Sequence, residues 1–181
     1  ASQPKDREYQ DPLNGLNNSF SGSSRTWIAD LLWKWAPNGN AKQTNLKLQG
    51  EYFRRTESGD LVYDTTTSAQ QGSFRNTQSG YYAQAVYQFM PNWRVGYRHD
   101  RLSSGSANIE LINNGTLTAA DLPLLANFSP SRNTVMVDWS PSEFSRVRLQ
   151  YAQDKTRPEA TDNQIWLQYV MSLGAHGAHK F

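Results

Sequence analysis

Tyr81-Tyr82-Ala83-Gln84-Ala85-Val86-Tyr87-Gln88-Phe89-Met90-Pro91-Asn92-Trp93-Arg94-Val95-Gly96-Tyr97-Arg98-His99-Asp100 is the stretch that decides the fold. Tyr81, Ala83, Ala85, Tyr87 and Phe89 alternate with Tyr82, Gln84, Val86 and Gln88. Beyond the Met90–Asn92 turn, Trp93, Val95 and Tyr97 alternate with Arg94, Gly96, Arg98 and Asp100. Successive side chains of a strand point to opposite faces, so each run has one apolar and one polar face. A Pro-Asn pair between two such runs is hairpin chemistry.

Working outward, the same period recurs five more times. Trp27, Ala29, Leu31, Trp33 and Trp35 alternate with Ile28, Asp30, Leu32 and Lys34. Leu46, Leu48, Gly50 and Tyr52 alternate with Asn45, Lys47, Gln49 and Glu51. Three later runs centre on Val135–Trp139, Val147–Tyr151 and Ile165–Leu173. Their polar-face partners include Asp138, Arg146 and Arg148. Helical period is nearly absent, so the expectation is all-β, with seven strands over residues 25–181.

Composition narrows the class. The chain has 181 residues, a net charge of +2 and no cysteine. Its mean hydropathy is −0.74, and no run approaches the ~20 apolar residues of a spanning helix. Helical insertion is excluded, but strands that alternate average out in hydropathy and can still face lipid. Six Trp, nine Tyr and seven Phe suit a membrane–water interface, where a ring can lie in apolar surroundings and a polar tip in water. The near-neutral charge gives no case for nucleic acid. Three histidines without cysteine make a metal site improbable on composition, and no cofactor is expected. No acid, base and nucleophile gather on one face, so an enzyme is not expected.

The connections alternate in length. Pro37–Gln43, Met90–Asn92 and Ser140–Glu143 are short; Arg55–Ser79 and Leu102–Arg132 are long and polar, and Lys155–Asp162 is intermediate. All the short turns fall at one end, as in transmembrane barrels with short periplasmic turns and longer external loops. Residues 1–24 are expected to be the remnant of an external loop. Ala1–Lys5 lack the apolar segment of a signal peptide, so the numbering is expected to start within a processed or longer protein. Seven strands cannot close antiparallel, and an open edge in lipid leaves backbone groups unpaired. Upstream strands, or a partner chain completing the barrel, are therefore expected.

At its end the chain resembles Gram-negative outer-membrane porins. Phe181 shares parity with Ile165, Leu167, Tyr169, Met171 and Leu173, and in porins the closing strand ends in an aromatic residue read by the barrel-assembly machinery. Met171–Phe181 also resembles the terminus of a porin-like group described as zinc-regulated TonB-dependent receptors. The barrel resemblance extends over nearly the whole chain, the narrower one over the last two strands. It implies an up-and-down transmembrane barrel in the bacterial outer membrane, meeting lipid and lipopolysaccharide, with homo-oligomers common.

The expected role is a pore for passive diffusion of small hydrophilic solutes. Lys34, Lys47, Glu51, Arg94, Arg98, Asp100, Arg146 and Arg148 would line it. A basic stripe there would favour anions, whereas a ladder of structural ion pairs would only stiffen the wall. Trp33, Trp35, Tyr52, Trp93, Trp139 and Tyr169 would form an interfacial girdle. The other readings are a receptor barrel with a plug encoded upstream, and a scaffold enclosing a partner protein.

Overall fold

The computed structural model of the chain describes residues 2–5, 7–11, 14–37 and 39–172. Among them, nine strands form one antiparallel sheet. They are β1 (Arg7–Gln10), β2 (Asn17–Trp35), β3 (Asn45–Tyr63), β4 (Gln70–Met90), β5 (Trp93–Ser103), β6 (Asn108–Ile109), β7 (Ser131–Ser142), β8 (Ser145–Arg157) and β9 (Ala160–Met171). The order is β1-β2-β3-β4-β5-β7-β8-β9, with β6 paired to β4. Apart from β6, each strand lies beside its neighbour in sequence, which is an up-and-down meander. Among the described residues β1 and β9 do not pair, so the sheet is open at both edges.

All seven alternating runs are strands, but four expectations about the connections need correction. Residues 1–24 are not a loop: Arg7–Gln10 pair with Asn17–Phe20, and Ser2 bridges to Ser24. Arg55–Ser79 contract to a turn at 64–69, because β3 and β4 are 19 and 21 residues long. Leu102–Arg132 hold β6, a short helix α1 (Glu110–Asn113) and two 3-10 turns. Lys155–Asp162 contain only the tight turn Pro158–Glu159 between β8 and β9. The reason is common to all four. Ladder hydrogen bonds come from the backbone and can satisfy a Ser/Asn/Thr-rich segment that carries no apolar alternation.

The chain divides into two compact units. One comprises Leu31–Gly50, Tyr82–Asp100 and Ser131–Phe181. In it Val137, Leu149 and Leu167 stand opposite one another across β7, β8 and β9, flanked by the rows Val135–Tyr151–Ile165 and Trp139–Val147–Tyr169. The alternate row is Asp138–Arg148–Gln168. The apolar row is the more exposed one. Leu149 and Leu167 are 52% and 77% exposed, Leu48 and Val95 37% and 38%, and Asp138 only 2%.

The other unit comprises Ala1–Asp30, Glu51–Tyr81 and Arg101–Pro130, and it has an ordinary apolar core. Phe20, Leu61 and Phe74 are buried under Ile109, Leu111, Leu117 and Leu122. The Phe20 and Phe74 rings meet edge to face at 5.5 Å, a favoured aromatic arrangement. Phe74 is opposite Ile109 in the β4–β6 pair. Leu111 lies so close over Gly72 that a Cβ there would sit 2.9 Å from its Cγ, which accounts for glycine at that position.

Phe20, Leu61 and Phe74 share sequence parity with Lys34, Lys47 and Gln88 on the same strands. Further along each strand, the apolar side chains therefore take the other parity. Amphipathic sign thus reverses along β2, β3 and β4.

Candidate functional site

The polar face of β5, β7 and β8 carries the densest set of charges, and alternation is what points them all one way. Arg148 meets the buried Asp138 through a two-pronged contact, Nε to Oδ1 at 2.6 Å and Nη2 to Oδ2 at 2.8 Å. Arg98 grips Asp100 with Nε at 2.9 Å from both carboxylate oxygens. Its guanidinium also lies 4.0 Å from the centre of the Tyr82 ring, whose hydroxyl accepts a hydrogen bond from Gln49. Arg132 lies opposite Asp154 in register, 3.8 Å from its carboxylate, and donates to Gln164 at 3.2 Å.

The other expected lining residues behave differently. Arg94 donates to the amide oxygen of the buried Gln88 at 3.1 Å. Arg146 is opposite Val170, and its Nε is buried without an acceptor. Lys47 and Lys34 lie on the polar parity of β3 and β2. Among the described residues none of these four cations forms an ion pair. Glu51 belongs to the unit containing the apolar core; there Glu57, absent from the expected set, is a buried carboxylate, held by Arg7 at 2.9 Å and by Arg55. A carboxylate on the polar parity of β3 was visible in sequence, but not its partners 50 and two residues away.

The aromatic residues sort by height along the strands. Trp33 and Trp35 stack at 6.3 Å, and Trp93 and Trp139 at 6.2 Å. Trp139 is followed across the sheet by Val147 and Tyr169, so Trp93, Trp139 and Tyr169 lie near the short-turn end. Further along, Tyr97 and Tyr151 donate their hydroxyls to Asn133 and Asn163, each at 2.8 Å. His99 Nδ1 is also 2.8 Å from the Asn133 side chain. Tyr52 is exposed on β3 in the other unit. Phe181, His176 and His179 lie outside the described residues.

A cleft of about 320 Å³ opens beside the apolar core, between β1–β2 and the 3-10 turn Pro123–Leu125. Phe20, Leu61, Phe74 and Leu124 form its walls, with Arg7 and Tyr9 among the polar groups that reach it. Burial, with a smaller push from nearby Asp11, raises the Tyr9 phenol above its usual range. No group of acidic or imidazole ligands able to hold a metal occurs among the described residues.

No protein-family model matches the chain. No solved structure matches it. It is similar to an uncharacterized protein of Aquifex aeolicus (strain VF5), 29% identical over 168 residues, 91% of this chain and 32% of that protein. The chain spans about a third of the length of that relative.

Proposed function

We propose that this chain forms part of a porin-like β-barrel in a bacterial outer membrane, with a lumen through which small hydrophilic solutes diffuse. The observation that carries the reading is the inverted burial of β7, β8 and β9: Leu149 and Leu167 are exposed while Asp138, on the alternate row, is buried. In water, exposing such rows costs about 25 cal/mol per Å² of apolar area; against acyl chains it costs nothing. The apolar runs Trp27–Trp35 and Tyr81–Phe89 are nine residues long, close to the ~9–11 residues with which a tilted strand crosses the hydrocarbon layer.

The apolar core of the other unit supports the same reading. Beyond the bilayer a strand must bury its apolar side against protein, as Phe20, Leu61 and Phe74 do. Stacked tryptophans near the short turns and asparagine-bonded tyrosines further along supply the two interfacial belts such barrels use. Closure needs strands beyond those described here. β1 covers only the first part of β2, and Arg25–Trp35 have no partner on that side among the described residues. The Aquifex relative is about three times the matched length. At the density of the seven long strands here, that length supplies roughly 20 strands, within the range of large barrels.

Reconstitution of the intact protein in planar bilayers tests the proposal. Stepwise, steady conductance is expected. A protein that inserts into vesicles yet stays electrically silent, and does not let small sugars through, overturns it.

A further inference from the structure

We infer that the polar face near the short-turn end of β5, β7 and β8 is a binding subsite for small oxyanions, formed by Arg94, Arg146 and Arg148. This deepens the pore reading, since a permeating solute would meet these groups. It starts from register. Ser140 N–H bonds Asn92 C=O at 2.8 Å, Trp93 stacks on Trp139, and Met136 lies over Gly96. Antiparallel pairing with those neighbours puts Arg94 opposite Asp138. Asp138 in turn lies opposite Arg148. One buried carboxylate thus stands between two arginines.

The next polar position along β8 toward the turn is Arg146, which among the described residues has no carboxylate partner and keeps a buried Nε–H without an acceptor. Toward the far end of the same strands the charges cancel: Arg98 with Asp100 and Arg132 with Asp154. Near the short turns three guanidinium groups on this face share one buried carboxylate, Asp138, with the exposed Glu143 in the adjoining turn, so positive charge is in local excess. An unused donor in a partly enclosed site is costly, and a ligand oxygen would satisfy it. Guanidinium forks match the paired oxygens of phosphate or carboxylate better than they match a spherical halide.

Inorganic phosphate is the probe, with chloride holding the ionic strength constant, and the readout is thermal unfolding of the full chain in detergent. Wild type is expected to gain stability saturably with phosphate. Arg94→Gln and Arg146→Gln should each weaken the apparent affinity about tenfold, the loss of one charged hydrogen bond. Arg146→Lys should fall between, keeping the charge without the fork. Arg157→Gln, which removes an exposed cation at the opposite end of β8, should stay within about twofold of wild type. Because Arg146 has no ion-pair partner among the described residues, its replacement strands no charge, and without phosphate the variant should be no less stable than wild type. The inference is overturned if wild type shows no saturable shift, or if Arg146→Gln responds to phosphate as wild type does. A saturable phosphate response in a barrel that never conducts would remove the pore and keep the site; conduction without that response would do the reverse.

Discussion

Asp138 and Arg148 illustrate how much one pair can matter when the face it occupies is enclosed. Both fall on the polar parity of their strands, which sequence alone makes plain. That these two meet, rather than Asp138 with Arg146, follows only from the register of β7 against β8. Removing one partner of a buried pair strands the other charge. Arg148→Ala is therefore expected to destabilise the fold by about 3 kcal/mol, measured by urea unfolding in detergent, and the double change Asp138→Leu with Arg148→Met should recover most of it. A single variant as stable as wild type would mean that water reaches Asp138 freely. Arg132 with Asp154 is longer and more exposed, and its loss should cost less than about 1 kcal/mol.

Among the elements, the β3–β4 turn and the segment after β5 take most of their order from carboxylates that accept backbone hydrogen bonds. At Asp64 burial raises the pKa, but bonds from Ser68, Thr66 and Thr67 outweigh it and hold the carboxyl below its usual range. Glu110 is lowered by the backbone and hydroxyl of Ser73, and Asp121 by those of Thr118. A lowered folded-state pKa contributes stability above the unfolded value, and that contribution is lost as pH falls through the folded one. Between pH 6 and pH 3, hydrogen-exchange protection factors at Asn108–Leu125 should fall while those at Val147–Tyr151 hold; equal loss in both would show that these carboxylates do not act locally. Phe74→Ala should remove about 3–5 kcal/mol from the same unit, visible as selective proteolysis after Ser104. Polar composition hid the second half of β3, the first half of β4 and the segment after β5 as ordered elements, although Phe20, Leu61 and Phe74 carried a signal: each breaks the parity of the apolar residues further along its strand.

For the whole molecule, the decisive quantity is what lies against the row Val137–Leu149–Leu167. Leu149→Arg should cost roughly 2–4 kcal/mol for folding into lipid vesicles, the cost of a cation near the bilayer midplane. If Leu149 faced water, the same change would be close to neutral, so an unaltered vesicle-folding equilibrium would sink the membrane reading. The sheet order makes the up-and-down meander plain, with both edges open among the described residues.

Alternation of side-chain polarity is a local property, and from it the amino-acid sequence by itself determined the seven strands, their two faces and the hairpins at Pro91-Asn92 and Ser140–Glu143. Pairing partners were beyond its reach. Which arginine meets which aspartate depends on register between strands. The polar segments Asn17–Ser24 and Arg55–Tyr63 become strand because neighbouring backbones satisfy their hydrogen bonds, a condition that no single segment encodes. The apolar core over Phe20 and Phe74 is likewise a tertiary outcome, since it forms only when a segment more than thirty residues further on packs down against β4.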